Sequence, residues 1–183
     1  SDQTNKFVTR YLQSTHCDLF FADAAILVEG VAESMLLPHF IRSKFPELYQ
    51  RYITILGVNG RHAHRLSPLI EKLCLPTLVI TDLDPAEKEG YHKSVVPKRG
   101  EGQISGNYAI AKWLMKEKDI DKLVDYSEDK KEFSFASPYR FSIRLAYQTP
   151  VKVDFEGEEK EAIPGTFEDC LIYTNYDLFK KIK

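Results

Sequence analysis

Cysteine is scarce in this chain. Cys17, Cys74 and Cys170 are the whole complement of 183 residues, an odd number with no CxxC spacing. That excludes a disulfide framework and a thiol-rich zinc site, and it fits a reducing cytoplasm in which the three are core thiols. Long apolar runs are missing too. No stretch approaches the roughly 20 residues of a membrane-spanning helix and nothing resembles a signal peptide, so no membrane is expected among the partners. Nor is there an excess of positive charge: 25 Lys and Arg against 27 Asp and Glu leave a net charge of −2. Nucleic acid would therefore have to be held by local basic patches or through metal ions. The pattern G-x-x-x-x-G-K-[ST] occurs nowhere, which excludes a P-loop ATP site in this chain.

What is present reads as a globular α/β protein, with 43% hydrophobic and 28% charged residues and room for one domain with a small appendage. Phe7, Tyr11 and Leu12 have helical spacing, predicting a linker helix within residues 1–22. "AAILVEG" is a short apolar run closed by glycine, as in a strand covered on both faces. "VAESMLLPHFIRSKF" is helical, with Pro38 expected to bend or end its first segment. "RYITILGVNG" and "LPTLVITDLDP" are two further strands, with the helix "HRLSPLIEKL" between them. "SGNYAIAKWLMKEK" is a helix with Ser105 or Asn107 at its cap. This alternation predicts a parallel sheet with helices on both faces over residues 23–128, and in such sheets ligands gather at the carboxyl ends of the strands. Residues 129–183 read as a flanking, β-rich extension followed by helices.

Carboxylates sit at those strand ends. Glu29 closes one strand, Glu33 lies in the first turn of the following helix, and Asp82 and Asp84 close another. Four carboxylates at one point repel unless a cation neutralises them, and clustered carboxylate oxygens suit Mg²⁺ or Mn²⁺. Each acid also has an ordinary explanation. A glutamate in a first helical turn complements the macrodipole, and Asp-x-Asp is common in turns. An apolar strand ending in Glu-Gly, followed by one ending in Asp-x-Asp, is much more specific than either part.

"ILVEGVAESMLL" with "LVITDLDP" resembles a Toprim (topoisomerase-primase) domain. With "SGNYAIAKWL", "RLAYQTP" and "GTFEDCLIYTN" it is similar to the nuclease region of the OLD (overcoming lysogenization defect) family. The resemblance implies a two-metal DNA endonuclease with Mg²⁺ or Mn²⁺ as cofactor, forming the C-terminal part of a protein with an ABC-type ATPase on its N-terminal side. It implies that Glu29, Glu33, Asp82 and Asp84 are metal ligands, that Glu168 in "GTFED" completes the second site, and that Ser105 lies near the metal. Asp82 would bridge the ions, and Glu29 would be a ligand or a general acid/base. Read by itself, Glu168 belongs to a helix start, where Thr166 and Asp169 have capping-box spacing. The family's lysine beyond the late acid has only Lys180, Lys181 and Lys183 as counterparts.

For DNA, Arg61 and Arg65 in "GRHAHR", Lys93, Lys98 and Arg99 in "HKSVVPKRG", and Arg144 are candidate phosphate contacts, against the alternative of ordinary solvated loops. His62 and His64 as a zinc pair lack further ligands at suitable spacing. Two other functions compete: a phosphatase using Asp-x-Asp, disfavoured because here the Glu-Gly strand comes first, and a Toprim-like scaffold that binds DNA without cutting it.

Overall fold

The structure, a computed structural model, describes Lys6 and residues 17–58, 62–88, 94–136, 138–155 and 157–181. The helix expected around Phe7, Tyr11 and Leu12 lies outside the described residues.

Strand β1 (Ala24–Val28) is apolar throughout and buried from Ala25 onward, as expected of a strand covered on both faces. Helix α1 (Val31–Lys44) follows directly, then the single turn α2 (Pro46–Tyr49), strand β2 (Ile53–Gly57), helix α3 (Ser67–Leu73) and strand β3 (Thr77–Ile80). β1 lies between β2 and β3 and is parallel to both.

Two further strands belong to the same sheet. β7 (Phe141–Ala146) runs parallel beside β3, and β6 (Glu132–Phe135) closes that edge antiparallel, giving the order β2-β1-β3-β7-β6. The sequence suggested a flanking element here. Phe141, Ile143 and Leu145 alternate with polar residues and all three are buried, which is why β7 enters the core. Among the described residues after 129, β8 (Val151–Phe155) and β9 (Glu158–Ala162) form a separate hairpin. The core joins Leu27, Leu56, Val79, Ile143 and Leu145 of the sheet to Leu66, Ile70, Ile110 and Leu123.

Two helix expectations need correction. Pro38 does not end its helix, since α1 runs from Val31 to Lys44 through it. Pro38 is exposed, and its ring and missing N–H interrupt the helix hydrogen bonding without ending the helix. In "SGNYAIAKWLMKEK", Ser105 belongs to the short strand β5 (Ile104–Ser105), paired with β4 (Pro85–Ala86), and only Ala109–Trp113 coil, as a π-helical turn. Lys116, with φ of 55°, turns the chain out of it, and helix α4 (Ile120–Asp125) starts afresh from an Asp119 cap.

Candidate active site

Register decides what meets at the sheet's carboxyl edge. Val28 is level with Gly57 and Ile80, and Ile80 with Ala146. The residues just past these ends, Glu29, Thr81 to Asp84, and Tyr147 with Gln148, therefore emerge together. A further bond from Thr81 N–H to the Ala146 carbonyl, 3.0 Å, extends the ladder one step into this edge.

Glu29 and Glu33 flank Gly30. Its φ of −106° is one that any residue adopts, so the turn itself does not demand glycine. A Cβ at position 30 would meet the Glu33 carboxylate, which would have to move to admit any larger residue. Glu33 is only 3% exposed, and its Oε2 is buried without a hydrogen-bond partner. Desolvating a carboxylate oxygen with nothing to replace its water is costly, and a cation is the usual compensation.

Asp84 has φ of 48°, in the left-handed region that Asp tolerates better than most residues. Leu83 between the two aspartates is buried in the core, anchoring the segment. Burial pushes the Glu29 carboxyl up to about 7. The Asn107 amide and the nearby Thr81 hydroxyl oppose the rise, and the charges of Asp84 and Asp82 add to it. Burial likewise raises Asp82 to about 6, opposed by Gln148 and reinforced by Asp84, Glu33 and Glu168. Glu168 comes from the first turn of helix α5 (Phe167–Thr174), which packs on α1 and β8. Thr166 caps that helix through the Asp169 N–H, while the Asp169 carboxylate accepts from Gly165, so the cap uses Asp169 and leaves Glu168 free to face Asp82.

These shifts give a sign for stability. Both carboxyls have folded pKa values, about 7 and about 6, above their ordinary 4.5 and 3.8, so folding takes up protons and stability rises as pH falls. His62, lowered from 6.5, opposes this only once it titrates. Melts in EDTA should therefore show higher Tm at about pH 6.5 than at about pH 8. A Tm that falls over that interval would contradict the burial described for Glu29 and Asp82.

The other candidates are placed variously. Ser105 is buried beside Asp84's neighbour Pro85, and its hydroxyl accepts from the Asn107 N–H at 3.1 Å. Arg65 is half-buried in the 3₁₀ turn Ala63–Leu66, where His64 meets the Tyr108 ring edge-on, 5.3 Å between centroids. That turn therefore lies against Tyr108, the residue after Asn107. Lys98 is exposed. Arg99 is bound to Asp125 at 2.8 Å and Glu161 at 2.6 Å, and Arg144 to Glu128 at 2.9 Å. Lys180 donates to the Asp154 carbonyl. Arg61, Lys93 and Lys183 lie outside the described residues. Among the described residues, no three Asp, Glu, His or Cys groups are gathered closely enough to enclose an ion.

Two residues that contact the acids were not singled out from sequence as part of the site. Asn107 bonds to both Glu29 and Asp84, and Gln148 donates to Asp82 while accepting from the Leu83 N–H at 2.8 Å. Asn107 was legible only as a helix cap, a role it does fill for Ala109. Gln148 had one available signal, an amide two residues past the end of an apolar strand.

Residues 20–84 match the family model described as overcoming lysogenization defect protein-like, TOPRIM domain. Over 175 residues the chain is 28% identical to the endonuclease GajA of Bacillus cereus (strain HuB5-5), an alignment that spans 96% of this chain and 23% of that protein. The chain thus covers under a quarter of the curated relative's length. No solved structure matches it.

Proposed function

On a chain that carries an OLD-family Toprim region at residues 20–84, we propose a metal-dependent DNA endonuclease, hydrolysing phosphodiester bonds with two Mg²⁺ or Mn²⁺ ions. We further propose that it is the cytoplasmic, C-terminal part of a longer protein with an ABC-type ATPase on its N-terminal side. Its similarity to part of an endonuclease supports this. The observation that carries the reading is the arrival of Glu29, Asp84, Glu33 and Glu168 within electrostatic reach of Asp82 at one sheet edge, with a Glu33 oxygen buried and unpartnered.

Bound ions would activate water and neutralise charge on the scissile phosphate. The protein's part is to hold oxygen ligands. Asp82, fixed at the strand end, would be the ligand the ions share. Glu29 serves as ligand or general acid/base, and Glu33, Asp84 and Glu168 fill the remaining positions, with Ser105 nearby. Functionally, 1–22 is a linker, 23–128 the Toprim core, and 129–183 supplies β7, Gln148 and Glu168. DNA runs past Arg61, Arg65 and Lys98; Arg99 and Arg144 join only by exchanging a carboxylate for a phosphate.

The test is supercoiled plasmid with Mg²⁺, with Mn²⁺ or with EDTA, and without ATP. Nicking or linearisation with either ion and none in EDTA is expected. Cleavage undiminished by chelator would remove the metal requirement, and binding without any cleavage would leave the non-catalytic scaffold.

A further inference from the structure

We propose that Asn107 is a positioning residue for the acid set, and that its carboxamide fixes the spacing of Glu29 and Asp84 so that both can hold a cation. The inference rests on the metal-dependent reading above and assigns a role to a residue that is neither acidic nor basic.

Asn107 is wholly buried. Its Nδ2 donates to Glu29 Oε1 at 3.1 Å, to Glu29 Oε2 at 3.0 Å and to Asp84 Oδ2 at 3.0 Å. One NH₂ group thus ties together carboxylates from residues that lie 55 positions apart in sequence, at the ends of neighbouring strands β1 and β3.

The amide cannot turn to face them with its oxygen, because Oδ1 is engaged elsewhere. It accepts from the Ala109 N–H at 2.9 Å, capping the π-helical turn, while the Asn107 backbone N–H is held by Ser105 Oγ at 3.1 Å. The Gly106 N–H in turn bonds to the Asp84 carbonyl at 2.8 Å, so the loop that carries Asn107 is fastened to the residue it positions. The donor is rigid on both sides.

A neutral donor suits this place for an electrostatic reason. Glu29 and Asp84 repel each other, and a Lys or Arg here would relieve that repulsion but would also oppose the approach of a divalent cation. An amide offers hydrogen bonds to the charged oxygens while adding no charge of its own. Groups that orient metal ligands in this way typically change metal affinity by about 10–100-fold when lost.

The capping role and the positioning role separate experimentally. Ser caps a helix about as well as Asn but is too short to reach the carboxylates. Mn²⁺ binding to the protein, followed by the electron paramagnetic resonance of the free ion, should be at least about 10-fold weaker in Asn107→Ser than in the parent. Asn107→Asp keeps shape and cap yet replaces the donor by a charged acceptor, and in EDTA it should melt below the parent. If Asn107 were only a cap, Asn107→Asp would melt with the parent and Asn107→Ser would bind Mn²⁺ equally well; either result overturns the proposal, as would tighter binding by Asn107→Ser. Should Asn107→Ser be unfolded, the Asn107→Asp melt decides alone. A parent that binds no Mn²⁺ removes the metal-dependent reading itself and this inference with it.

Discussion

Asp82→Asn should abolish metal-dependent nicking while raising the melting temperature of the metal-free protein. The two effects have one cause. Asp82 is half-buried, lies within the field of Asp84, Glu33 and Glu168, and has its carboxyl raised to about 6, so near neutrality its charge is held at a cost. Asparagine keeps the shape, and its oxygen can still accept from Gln148. The repulsion goes and the packing stays. Each kcal/mol recovered is worth about 2–4 °C in a protein of this size. Added Mn²⁺ should raise the parent's Tm with concentration over Kd and the variant's far less. Activity should fall by more than roughly 100-fold, because even groups that merely orient a ligand account for about 10–100-fold. Melts of both proteins in EDTA and in Mn²⁺ test this together with the plasmid assay. A variant that melts lower in EDTA and gains as much from Mn²⁺ as the parent would make Asp82 a structural turn residue.

The largest stability loss is expected at Glu128→Ala, outside the acid cluster. Lys131 is 1% exposed, with its ammonium 2.7 Å from Glu128 and 4.6 Å from the centre of the Tyr147 ring. Glu128 also binds Arg144. Removing it leaves a buried lysine with only a ring face for company. Breaking a buried pair from one side costs about 3–5 kcal/mol, and the low end applies because Glu128 is itself largely exposed. A Tm drop on the order of 10 °C follows. Lys131→Met, which removes the charge and keeps the volume, should be close to neutral, and Glu128→Ala made on that background should cost little. Additive losses in the double variant would show that the pair is not coupled. Nicking at low temperature should suffer in Glu128→Ala as well, since Tyr147, whose hydroxyl bonds to the Leu123 carbonyl, directly precedes Gln148.

The sheet's first three strands were legible because each is an apolar run closed by Gly or Asp, and the acids at their ends followed from strand polarity alone. β7 was harder. Its alternation was visible, but a strand entering the sheet so far along the chain has no local signal for its neighbour, and only burial of Phe141, Ile143 and Leu145 against the existing core selects β3. Pro38 and the π-helical turn misled for the opposite reason: local propensity predicted a break in one place and a long helix in another, and solvent exposure and the anchoring of Asn107 overrode it. From sequence Gly30 read as the glycine that closes the first apolar run. What it supplies is room for the Glu33 carboxylate, a steric demand invisible before the helix is built. Gln148 and Asn107 escaped because an amide's importance depends on what it faces.

The place of β7 between β3 and β6 also bears on how the molecule assembles. During synthesis β1, β2 and β3 emerge first, and until residues 141–146 follow, β3 presents the unpaired edge Thr77–Ile80, "TLVI", short, apolar and without charge. Such an edge pairs readily with other chains. Closing it needs a contact across more than sixty residues, the slow kind of step in folding. The same event delivers Gln148 to Asp82. Protection from aggregation and completion of the acid edge are thus one late folding step, and a chain interrupted before Phe141 would have neither.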